Sequence, residues 1–119
     1  MDIIKLFDSE LKLMEIIWDN EPISAKDIAR IAGETIGWNK NTTYTIIKKL
    51  IVKNAVMRSE PNFICTSLIN KEHIQTMETQ NLIDKLYNGS KKKFFAAFLE
   101  KENLTEEEIA EIRSMIGKM

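Results

Sequence analysis

The stretch Trp38-Asn39-Lys40-Asn41-Thr42-Thr43-Tyr44-Thr45-Ile46-Ile47-Lys48-Lys49-Leu50 (WNKNTTYTIIKKL) decides how the rest of the chain is read. Thr43, Ile46, Ile47, Leu50 and Ile51 recur at helical spacing and predict a helix with an apolar inner face. Asn39 stands at the N-cap position, where its side chain can accept a backbone N–H. The first half of this helix is filled with Asn, Thr and Tyr, each up to ~0.7 kcal/mol worse than Ala in a helix interior. A helix built for stability alone would not begin this way. The helical step turns Lys40, Asn41, Thr42, Tyr44, Thr45 and Lys48 outward, opposite the apolar face. Polar residues of poor propensity belong where a helix end is used for contact.

Upstream, residues 9–20 (SELKLMEIIWDN) place Leu11, Met14, Ile17 and Trp18 on one helical face, with Asp8 or Ser9 as the expected N-cap. Glu21-Pro22 breaks that pattern. Ser24 and Asp27 have capping-box spacing and open a second helix through Ile28, Ile31 and Ala32, bracketed at its end by Gly33 and Gly37. Downstream, Asn54 stands where the third helix must turn left-handed, which Asn tolerates. Ala55–Ser59 and Phe63–Leu68 are then short runs of strand formers around a Glu60-Pro61-Asn62 turn, the signature of a hairpin. Three helices and a hairpin, in this order, are the elements of a winged helix-turn-helix. The second helix of such a motif enters the major groove by its N-terminal residues. Asn41 can read adenine with two hydrogen bonds, and Thr42 and Thr45 offer a hydroxyl and a methyl. Lys48, Lys49 and Lys53 lie further along and suit phosphates, while Arg58 enters the hairpin.

From Asn70 onward the period is helical again. Ile74, Met77, Leu82, Ile83, Leu86 and Tyr87 line a helix ending at Asn88-Gly89; Phe94, Phe95, Phe98 and Leu99 mark a second, over residues 91–99. Thr105 and Glu108 cap a third that carries Ile109, Ile112 and Ile116. Three short helices bury too little surface to stand alone, and the simplest partner is a second copy of the chain. The fold expected is mainly α with a small β-hairpin wing: a winged helix-turn-helix over 1–69 and a three-helix dimerisation domain over 70–119.

The 119 residues carry a net charge of −1, which alone would argue against a nucleic-acid partner. The average hides a segregation. Residues 35–59 hold Lys40, Lys48, Lys49, Lys53 and Arg58 and no acid, whereas residues 100–111 hold Glu100, Glu102, Glu106, Glu107, Glu108 and Glu111 against Lys101. Local charge sets the field that a phosphate meets. No apolar run approaches the roughly 20 residues that span a bilayer, so no membrane insertion is expected. The N-terminus does not read as a signal peptide. The single Cys65 fits a reducing cytoplasm, and with His73 as the lone histidine there is little material for a metal site or a nucleophilic dyad. No cofactor and no enzymatic activity are expected.

In Glu10-Leu11-Lys12-Leu13-Met14-Glu15-Ile16-Ile17-Trp18, in Trp38 to Thr45, in Leu86-Tyr87-Asn88-Gly89-Ser90 and in Ala97-Phe98-Leu99-Glu100, the chain resembles the penicillinase repressor family of bacterial winged-helix regulators. The resemblance runs in order from about residue 9 to 116. It implies a cytoplasmic homodimer, joined through the C-terminal helices, that binds a palindromic operator and blocks transcription. The DNA contacts then fall to Lys40, Asn41, Thr42, Tyr44, Thr45, Lys48, Lys49, Lys53 and Arg58. The contact between copies falls to Ile74, Met77, Leu82, Leu86, Phe94, Phe95, Phe98, Ile109, Ile112 and Ile116. In the β-lactam branch a membrane sensor-protease pathway relieves repression by cleavage at an Asn-Phe bond. The matching pair here is Ala97-Phe98, a departure that puts this route in question. The copper branch uses C-terminal cysteines, soft ligands for Cu(I), and none follows Cys65. Asn54 and Thr43 also depart from the family's usual Gly and Val or Ile. The alternative reading of the same residues is a winged-helix protein–protein adaptor without specific DNA binding.

Overall fold

The computed structural model describes residues 4–101 and 103–117. The chain forms two compact units, 1–74 and 75–119. The first unit runs α1 (Asp8–Asn20), β1 (Ile23–Ser24), α2 (Ala25–Thr35), α3 (Lys40–Val52), β2 (Val56–Ser59) and β3 (Ile64–Ser67). The helix α4 (Lys71–Tyr87) begins in it.

The core forms where the apolar faces of α1, α2 and α3 meet the sheet. Leu13, Met14 and Ile17 of α1, Ile28 and Ala32 of α2, and Ile47 and Leu50 of α3 are fully buried. Full burial of a side chain of this size contributes about 1.5–3 kcal/mol. Thr43 is buried too, and its hydroxyl donates to the Asn39 carbonyl at 3.2 Å, so a polar residue sits in the core with its donor satisfied. Ile51, expected on the inner face, is half-buried.

The hairpin β2–β3 pairs antiparallel, Val56 opposite Ser67 and Ser59 opposite Ile64. The two-residue β1 adds to the other side of β3, with Ile23 opposite Cys65, giving the order β1-β3-β2. This third strand is too short to show a period and was not expected. Glu21, just before it, accepts hydrogen bonds from the backbone N–H and the hydroxyl of Ser67, both at 2.8 Å, which ties the entry of β1 to the end of β3.

Several details depart from the sequence reading. The N-cap of α1 is Phe7, not Asp8 or Ser9, and the side chain of Glu10 accepts the Phe7 N–H at 2.8 Å. The buried face of α1 takes in Leu13 and Ile16, while Leu11 and Trp18 are half-buried; the Trp18 indole donates to the Ile69 carbonyl at 3.0 Å. The helix α2 continues through Gly33, and the chain turns at Gly37, whose φ of 83° favours glycine. Asn54 has φ 62°, as expected for the end of α3, and the Ala55 N–H reaches back to the Leu50 carbonyl at 2.9 Å.

Beyond residue 74, the chain completes α4 and forms α5 (Lys91–Lys101) and α6 (Glu106–Gly117). Asn88 and Gly89, at φ 51° and 80°, end α4. Ser90 caps α5 by accepting the Lys93 N–H at 3.1 Å, and Thr105 and Glu108 exchange bonds at the start of α6. Tyr87, Phe94, Phe95 and Phe98 form one aromatic cluster, with Phe94 at 5.5, 5.2 and 5.9 Å from the other three. Among the described residues of this unit only Ile83 is buried, at 3% exposure.

Candidate nucleic-acid interface

The first turn of α3 is set by its cap. The Asn39 side chain accepts the Thr42 N–H at 2.8 Å, satisfying one of the free donors of the first turn. With Thr43, Ile46, Ile47 and Leu50 held in the core, Lys40, Asn41, Thr42, Thr45, Lys48 and Lys49 are all exposed. Asn41, Thr42 and Thr45 line one groove with Trp38, Asn39 and Lys49. Ser9, at the start of α1, lines the same groove, a neighbour that sequence spacing could not reveal. The Thr45 hydroxyl donates to the Asn41 carbonyl at 2.9 Å, which leaves the oxygen free to accept but not to donate.

Tyr44 is only half exposed. Its ring packs edge-to-face with Phe63 in the hairpin, with centroids 6.0 Å apart at 82°, and Lys40 Nζ lies 5.8 Å from its centroid. Arg58 is exposed on β2, stacked 3.6 Å over the Phe63 ring and bonded through Nε to the Glu60 carboxylate. That bond, followed by the Phe63 N–H, holds the Glu60 carboxyl below the usual carboxylate range.

Lys53, expected among the phosphate contacts, is engaged elsewhere. Its ammonium contacts the Glu10 carboxylate at 2.7 Å and the Lys5 carbonyl at 2.8 Å, and it lies 4.5 Å from the Phe7 ring centroid. Glu10 is 2% exposed, so this cation neutralises a buried acid rather than facing solvent. The second carboxylate oxygen of Glu10 is buried without a partner, which deepens the need for the lysine. Lys53 is therefore a structural ion, not a phosphate ligand. The pairing spans 43 residues, and no local sequence pattern announces it.

Cys65 is buried in β3, and burial pushes its thiol up to about 11. His73 is exposed on α4, and Lys91, Lys92 and Lys93 are exposed at the start of α5. Ile74, assigned to the contact between copies, is 3% exposed in the single chain and is withdrawn from that surface. Leu82, Leu86, Phe95, Phe98 and Ile109 are exposed, whereas Met77, Phe94 and Ile112 are half-buried. The side chain of Ile116 lies outside the described residues. Ala97 and Phe98 lie inside α5.

A family model described as Penicillinase repressor matches residues 6–118. The methicillin resistance regulatory protein MecI of Staphylococcus aureus is 30% identical over 116 residues, covering 96% of this chain and 94% of that one. The penicillinase repressor of Bacillus licheniformis is 26% identical, over 94% of this chain and 89% of its own. Among solved structures, the DNA binding domain of the repressor BlaI matches 59% of this chain and 88% of its own, with 26% identity and a TM-score of 0.55. The monomeric form of Bacillus licheniformis BlaI in complex with the blaP half-operator matches 60% and 92%, with 27% identity and a TM-score of 0.52.

Proposed function

This chain belongs to the penicillinase repressor family of transcriptional repressors, and from that premise we propose that it binds a palindromic operator as a homodimer, placing α3 in the major groove and the hairpin beside it. The observation that carries this reading is the exposed Asn41-Thr42 pair on the capped first turn of α3, flanked by Lys40, Lys48 and Lys49 with no acid on the helix. Asn41 and Thr42 present donors and acceptors suited to base edges. Lys40, Lys48, Lys49 and Arg58 supply the charge that releases counterions from the phosphates. A relative in complex with a half-operator supports the same use of this domain.

Two copies are joined, in this reading, through the C-terminal unit, where Leu82, Leu86, Phe95 and Phe98 are between 44% and 64% exposed. Exposed apolar surface of this density marks an interaction site. A sensor-protease acting at Ala97-Phe98 would meet a bond within an intact helix, and cleavage there would follow the local opening of α5.

Side-chain roles are separated by comparing a duplex recovered by in vitro selection with a random duplex of equal length. Asn41→Ala costs about 1–3 kcal/mol on the selected duplex and little on the random one, whereas Lys48→Ala weakens both alike. Equal losses for the two variants on both duplexes would contradict these roles.

A further inference from the structure

Phe63 has the residue type of an ordinary strand former, yet four separate contacts converge on it. Its ring packs edge-to-face with Tyr44 from α3, and the Arg58 guanidinium from β2 stacks 3.6 Å over it. Its carbonyl accepts the N–H of Ala25, the first residue of α2, at 2.9 Å. Its own N–H donates to Glu60 at 3.2 Å, and that same carboxylate accepts from Arg58. The backbone is held at φ 51°, next to Asn62 at φ 74°, a region that side chains with a Cβ disfavour. A bulky residue is kept there because the contacts around it over-determine the conformation.

From this convergence we propose that Phe63 is a positioning residue for DNA recognition: it fixes the hairpin against α3, so that Arg58 and the base-reading turn are presented to one duplex at a set spacing. The inference rests on the DNA-binding reading above. The contact needs an aromatic face. An aliphatic side chain of similar volume keeps the burial but offers Arg58 no ring to stack on and Tyr44 no edge-to-face partner. Without it the hairpin is still hydrogen-bonded as a sheet through β2–β3 and β1–β3, but it is no longer held to α3 by this ring. Phe63 itself acts through Arg58 and Tyr44 and is not assigned a base or phosphate.

The test uses the full chain, the selected duplex and a random duplex, with hydroxyl-radical footprinting and competition binding. Phe63→Leu is expected to keep protection of the tract covered by α3 and to lose protection of the flanking tract covered by the hairpin. Its preference for the selected over the random duplex falls about tenfold. Phe63→Tyr, which retains the ring, restores the flank and the preference. Circular dichroism follows the folded fraction, and Phe63→Met replaces Phe63→Leu if the latter unfolds the hairpin. Unchanged flanking protection and preference in the folded aliphatic variant overturns the inference alone. Loss that Phe63→Tyr does not restore overturns it as well. Absence of any protection by the unaltered chain overturns the DNA-binding reading, and the inference with it.

Discussion

Lys48 and Lys53 share one basic segment and look equivalent in the sequence, but their surroundings give them opposite tasks. Lys48 is exposed on α3, whereas Lys53 sits against the buried carboxylate of Glu10. Lys53→Met should therefore lower the unfolding free energy by about 3 kcal/mol, because it leaves an acid buried and unpaired. Lys48→Met should leave it within about 0.5 kcal/mol, as surface changes do. Urea titration of the two variants decides the matter, and equal midpoints would contradict the assignment. Cys65 gives a second residue-level expectation. Its thiol is raised from an ordinary 9.0 to about 11, so it stays protonated as pH rises through the usual thiol range. At pH 8 the lower thiolate fraction alone slows alkylation about a hundredfold relative to the urea-unfolded chain. Rapid labelling of the folded protein would show the site to be open.

At the scale of elements, α3 shows what could be read in advance. Its inner face, its Asn39 cap and the left-handed Asn54 all follow from residue type and spacing, because a helix end advertises its own chemistry locally. Asn39→Ala is accordingly expected to cost about 1 kcal/mol of stability, measured by thermal or urea unfolding. A loss near zero would mean that the cap bond is not held in solution. The start of α1 departs from the expected Asp8 or Ser9 cap for a physical reason. Phe7 offers no side-chain acceptor, and the helix instead draws on Glu10, whose role depends on a lysine that arrives from the far end of α3. The strand β1 was missed because two residues carry no period, and its pairing with β3 is a tertiary fact. The convergence on Phe63 was hidden likewise. Its partners Tyr44, Arg58 and Ala25 come from three elements, and nothing in the local sequence announces them.

For the whole molecule, the segregation of charge matters more than the sum. A net charge of −1 coexists with an exposed basic surface in which Lys40, Lys48, Lys49 and Arg58 meet no acid on α3 itself, though Arg58 carries its own counter-charge in Glu60. The C-terminal unit leaves Leu86 64% exposed and Phe98 49% exposed. A charge on that surface should separate the copies: Leu86→Glu is expected to sediment as a monomer, and a variant that remains dimeric would remove Leu86 from the interface. The measurement that bears most directly on the central claim is the salt dependence of binding to the selected duplex. With about four phosphates neutralised by each subunit, the slope of log affinity against log salt concentration should be roughly −7 for the dimer. A slope near zero, with no preference over random DNA, would contradict the account.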